Sequence, residues 1–149
     1  MDEVIDLFNR SNVRYLLIGG QAVRLEGFPR FSMDWDFFIP AKDAENVSLI
    51  NSLIGDELDI PLVTVGDHGE NLIQTYSTCW GVLQFHLAVA GLPKYDEVEP
   101  RSVINKNENG TLVKCINLDD LLRAKETVAR GKDEDDIKFL KAKKEAREE

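Results

Sequence analysis

The sequence is short of the residues that mark several special classes of protein. It has two cysteines in 149 residues, Cys79 and Cys115, with no metal-ligand spacing, which excludes a zinc module and a disulfide scaffold. Both are expected to be reduced, buried thiols. No apolar run approaches the roughly 20 residues needed to span a bilayer, so no membrane partner is expected. The N-terminal stretch MDEVIDLFNR has no basic segment leading into an apolar one, so the expected compartment is the cytoplasm. There are no internal repeats and no low-complexity linkers. Positive charge is scarce as well: 18 Lys and Arg face 27 Asp and Glu, a net of −9. The deficit lies in the first 122 residues, which carry nine positive and nineteen negative side chains. Such a surface repels a phosphate backbone and disfavours generic nucleic-acid binding. A small triphosphate that brings its own Mg²⁺ remains admissible, because the metal supplies the positive charge locally.

The remaining composition, 43% hydrophobic and 30% charged, is that of an ordinary globule. The length predicts one domain over residues 1–149, with a charged, frayed tail from about residue 142. Helical spacing of Val4, Leu7 and Phe8 predicts a helix over Asp2–Ser11. Arg14–Ile18 reads as a buried strand broken by Gly19-Gly20, and Gln21–Glu26 as a short helix stopped at Gly27. Met33–Ile39 reads as a strand closed by Pro40, and Lys42–Ile54 as a helix. Further strands are expected over Ile60–Val65, Leu72–Tyr76, Val82–Val89 and Thr111–Ile116. Asn117 caps a helix over Leu118–Ala129, and Asp133 starts a last one. This alternation predicts an α+β (or α/β) sheet domain: a mixed sheet flanked by helices, with helices at the C-terminus.

One constellation carries chemistry. Gly19-Gly20 turns a strand into a helix and lets a phosphate approach the backbone closely. After thirteen intervening residues, Asp34 and Asp36 stand two apart on a strand, so both carboxylates project from one face. Like charges held that close are costly unless a cation neutralises them, and Mg²⁺ favours carboxylate and phosphate oxygens. A lone Gly-Gly is usually only a turn, and an isolated Asp-x-Asp often a solvated edge. Here the acids run into Phe37-Phe38-Ile39, an apolar context in which they call for an explanation.

Gly19-Gly20…Asp34-x-Asp36 resembles the signature of the polymerase-β-like nucleotidyltransferase superfamily. The wider stretches Tyr15–Ala22 and Arg30-Phe31-Ser32-Met33-Asp34-Trp35-Asp36 resemble its AbiEii-type branch of minimal bacterial enzymes, several of which serve toxin–antitoxin systems. The run from Asn117-Leu118-Asp119-Asp120 through Lys125 and Arg130 to Asp133 resembles that branch's closing motif. The resemblance implies transfer of a nucleoside monophosphate from an NTP, with Mg²⁺ or Mn²⁺, to an acceptor that could be a protein or an RNA. Asp34 and Asp36 would bind the metals, Gly19 and Gly20 the phosphates, and Lys125 the triphosphate charge. The competing reading of Lys125 is a surface helix lysine; Arg130 and Asp133 read as a structural pair.

The same resemblance calls for a third carboxylate seven residues before a glycine. Counting back from Gly91 gives Gln84, and no Asp or Glu occurs between Asn71 and Lys94. Glutamine offers a neutral oxygen but cannot act as a base. His86, on the same strand face, is the alternative base; its competing reading is a half-buried, hydrogen-bonded histidine. Weakened transfer is therefore one expectation. A catalytically degenerate nucleotide-binding or interaction module, part of a two-gene toxin–antitoxin or regulatory pair, is the other, and a vestigial acid pair in a purely structural protein the third.

Overall fold

The computed structural model describes residues 1–148. Helix α1 (Asp2–Arg10) buries Val4, Ile5 and Phe8, the stripe that helical spacing requires. Strand β1 (Leu16–Ile18) is buried along its whole length and leads directly into α2 (Gly19–Leu25). Strand β2 (Asp34–Phe38) runs from exposed at Asp34 to buried at Phe37 and Phe38. Helix α3 (Ala44–Ile54) starts where the Asp43 side chain accepts from the Asn46 N–H, a side-chain cap of the usual kind. A hairpin follows, β3 (Ile73–Thr78) and β4 (Gly81–His86). The short α4 (Tyr95–Val98), the edge pair β5 (Val103–Lys106) and β6 (Leu112–Cys115), then α5 (Leu118–Val128) and α6 (Glu134–Glu148) complete the chain.

The six strands form one mixed sheet in the order β3-β4-β2-β1-β6-β5. β1 pairs antiparallel with β2 and parallel with β6, while β2 pairs parallel with β4. Side chains alternate between faces along a strand. Leu17, Phe37, Leu83 and Phe85 therefore share one face, where Phe37 packs on Phe8, Tyr15 and Phe85 with ring centroids 5.8–5.9 Å apart. The opposite face carries Ile18, Asp36 and Gln84 side by side, with Asp34, Phe38 and His86 above and below them.

Several expected boundaries change. Residues 60–65 form no strand: side chains, not a neighbouring strand, satisfy backbone groups there. Asn51 both donates to Leu62 O and accepts from its N–H, and Gln74 does the same for Val63. β5 and α4 are too short to leave a periodic signal. α2 begins at Gly19 itself rather than at Gln21. The expected frayed tail is helical to Glu148: Lys143 and Arg147 both reach the buried Glu26 carboxylate, and Lys144 reaches Asp119. Cys115 is buried as expected, but Cys79 is exposed, since it sits in the β3–β4 turn rather than on an inner face. No helix among the described residues is long and apolar enough to cross a membrane.

Candidate active site

The register of three strands assembles the site. Ile18, the last residue of β1, lies opposite Asp36 of β2, which in turn lies beside Gln84 of β4. Residues far apart in sequence thus form one row across the sheet, and the turn at Gly19 comes down beside that row. Gly19 has φ +70°, and a Cβ there would stand 2.5 Å from Asp36 Oδ2. Both the left-handed backbone and the close approach require glycine. Gly20 lies against side chains: a Cβ would meet Ser32 Oγ at 2.9 Å and Arg30 Cζ at 3.2 Å, so these would have to shift. Helix α2 has only seven residues and no side chain caps its start. What the turn offers a ligand is therefore close access to backbone more than a helix dipole.

The two aspartates are not equivalent. Asp34 is exposed at the start of β2, whereas the Asp36 side chain is 14% exposed and held on both sides. Its Oδ2 faces Gly19, and its Oδ1 lies 2.8 Å from His86 Nε2. An ionised carboxylate only accepts, so Nε2 is the protonated, donating nitrogen of that imidazole. His86 thus occupies the space beside Asp36 and adjoins Gln84 on the same strand. This is the half-buried, hydrogen-bonded histidine expected as the competing reading, with Asp36 as its partner.

Lys125 does not stand free. It is largely buried on α5, with Nζ 3.1 Å from Asp133 Oδ1 and 3.2 Å from Asp136 Oδ2. Asp133 also pairs with Arg130, as expected, and Asp136 with Arg30. Burial pushes the Asp133 carboxyl up, but its bonds to Lys125 and Arg130 more than offset this and hold it below the ordinary 3.8. Because Arg30 also flanks Gly20, a continuous charged chain runs from the glycine turn to α6. Arg30, Ser32 and Asp136 are the neighbours of the turn that sequence reasoning left without a role. Their only sequence signal was the Arg-x-Ser spacing just ahead of Asp34.

Among the described residues no three or more His, Cys, Asp or Glu side chains cluster as a metal cage. Nucleotide-bound Mg²⁺ usually takes one or two carboxylates plus phosphate oxygens rather than an all-protein cage. Asp34 and Asp36, with the Gln84 carbonyl beside them and the Gly19 turn against Asp36 Oδ2, form a donor set that fits that pattern.

No protein-family model matches the chain, and no curated protein matches it by sequence. Solved structures do match. A lincomycin-bound lincosamide antibiotic adenylyltransferase, LnuA, aligns over 93% of this chain and 92% of its own, with 21% identity and TM-score 0.61. The solution structure of the antibiotic-resistance factor ANT(2'')-Ia aligns over 97% and 89%, with 16% identity and TM-score 0.50. A Thermotoga maritima protein described as a nucleotidyltransferase aligns over 78% of this chain but only 63% of its own, at 13% identity and TM-score 0.44, too distant to carry an argument. The mixed six-stranded sheet flanked by helices is the nucleotidyltransferase fold.

Proposed function

We propose that this protein binds an NTP with Mg²⁺ through Asp34 and Asp36 and transfers a nucleoside monophosphate to an acceptor, with catalysis weakened at Gln84. The observation that carries the reading is the row Ile18–Asp36–Gln84, with the glycine turn seated against Asp36. It brings a phosphate-accessible backbone and two carboxylates together on one sheet face. When bound, the divalent cation would neutralise the triphosphate and the leaving pyrophosphate. The chain's own contributions are orientation and charge. Asp34 and Asp36 hold the cation, Gly19 and Gly20 admit the phosphates, and Arg30, paired with Asp136, stands beside Gly20. Lys125 is already committed to Asp133 and Asp136, so it acts on the triphosphate only through that network, by holding Asp136 and Arg30 in place.

Gln84 supports the second reading, a nucleotide-binding or interaction module without turnover. Losing a positioned base typically costs about 10²–10⁴-fold in rate. The likeness to a lincosamide adenylyltransferase adds small molecules to protein and RNA as acceptors. A partner encoded in a two-gene system and a role in the AbiEii-type branch stay within the proposal, as does a cytoplasmic location. The test uses calorimetry with MgATP, together with α-labelled NTPs in a cell extract. The double variant Asp34→Asn/Asp36→Asn should lose Mg²⁺-dependent binding while keeping its circular dichroism. Undiminished binding by that variant would place the site elsewhere, and a labelled product from the parent would decide for transfer over binding alone.

A further inference from the structure

Beyond the acid row, the same sheet face falls into a hollow of about 730 Å³ between the ends of β2 and β4 and helix α4. That volume lies within the usual range for small-molecule sites, roughly 300–1,000 Å³. Its floor is made of core residues: Phe38 and Tyr95 meet edge to face with centroids 5.4 Å apart, and Leu87 lies beside them. Val89, Leu92 and the exposed Leu72 form the walls. The floor residues are themselves buried, so the apolar surface the hollow leaves open is that of its walls, chiefly Leu72, which is 41% exposed.

The rim carries five charged groups, of which three are already engaged. Arg14 binds Asp43 and Asp96, the two acids of the lining, and Glu99 just outside it. Lys42 and Lys94 also line the hollow, and among the described residues neither has a carboxylate within ion-pairing reach. In a chain of net charge −9, this is a place where apolar surface and uncommitted positive charge coincide. We propose that the hollow binds a small organic anion, an apolar body bearing one carboxylate or sulfonate. The body lies over the wall residues Leu72, Val89 and Leu92, and the anionic group pairs with Lys42 and Lys94. Phe38 follows Asp36 by two residues on the same face, about 7 Å along the strand, so a long ligand extends towards the acid row. The binding itself does not rest on nucleotide chemistry, and its test contains no nucleotide.

The probe is 1-anilinonaphthalene-8-sulfonate, an aromatic body with one sulfonate, read by fluorescence titration of the intact chain. One saturable site per chain, emptied by competition with octanoate, is the expected result. Ala88 is exposed at the rim, so Ala88→Trp fills the hollow without touching the core and should weaken binding more than tenfold. Leu92→Trp is the second blocking variant, and circular dichroism confirms the folding of each. A rim cation contributes up to about fivefold, so Lys42→Glu/Lys94→Glu should weaken the sulfonate probe by roughly tenfold or more. Uncharged N-phenyl-1-naphthylamine should bind parent and charge variant within twofold of each other. Unsaturable or absent binding, or unchanged affinity in folded Ala88→Trp and Leu92→Trp, would overturn the site. Equal affinity of the charge variant for the sulfonate would overturn its assignment to an anion.

Discussion

Replacing Gly19 by alanine perturbs two things at once, and each can be read separately. At φ +70° an L side chain costs about 1–2 kcal/mol of backbone strain. The new Cβ would also stand 2.5 Å from Asp36 Oδ2, so one of the two must move. The carboxylate is not free to do so, since its other oxygen holds His86 at 2.8 Å and its backbone is paired on both sides. Losing that hydrogen bond from a largely buried group costs about 1–3 kcal/mol more. The sum is about 2–5 kcal/mol, and at about 2–4 °C per kcal/mol for a chain of this size the Tm should fall by about 4–20 °C. The control is Gly27→Ala. Gly27 is also left-handed, at φ +114°, but a Cβ there meets only Phe139, at 3.8 Å. It is therefore no neutral change, and should cost backbone strain without disturbing Asp36. Thermal unfolding with and without MgATP measures both effects. Gly27→Ala should lower Tm and keep the upward shift that nucleotide produces, whereas Gly19→Ala should lower Tm and lose the shift. A Gly19→Ala protein with parental Tm and a full MgATP shift would refute both the packing against Asp36 and the phosphate role of the turn.

Gln84→Asp, which restores an acid beside Asp36, should raise Mg²⁺ affinity and pyrophosphate release, by up to about 10²–10⁴-fold in rate if a base was the missing element; Gln84→Ala should change little. Brisk parental turnover that survives Gln84→Ala but not His86→Ala would move the base to the imidazole. Lys125→Met removes one of two cationic partners from each of two buried carboxylates, leaving Arg130 on Asp133 and Arg30 on Asp136, and should cost about 1–3 kcal/mol in denaturant unfolding at neutral pH. Because the Asp133 carboxyl is held low, its contribution is complete above pH 3.8 and is lost as pH falls through the folded value. The parent should therefore lose stability more steeply in that acid range than Lys125→Met, and parallel pH profiles would contradict the ion network. An aromatic disulfide reagent should titrate one thiol per native chain, Cys79, while Cys115, pushed up to about 12 by burial, reacts only on unfolding. Two reactive thiols in the folded protein would contradict that burial.

Strong local signals are enough to place the amphipathic α1, the apolar β1 with its glycine break, the Asn117-capped α5 and the acids of β2. They also place Asp34 and Asp36 on one face and show no Asp or Glu between Asn71 and Lys94, because strand alternation and residue identity are local facts. Tertiary structure decided the rest. Only strand register sets Gln84 beside Asp36 and Gly19 against its carboxylate, across separations of 48 and 17 residues that no local pattern encodes. The partnership of His86 with Asp36 has the same origin, as does the capture of Lys125 by Asp133 and Asp136. A lysine written on an exposed-looking helix surface became an interior one because α6 folded back over it. The α6 tail is held by Glu26, more than a hundred residues away in sequence at the end of α2, which supplies an acceptor. Period and composition fix what a residue can do and which way it faces along its own element. What it faces is set by which distant element packs there, and that is a property of the assembled sheet.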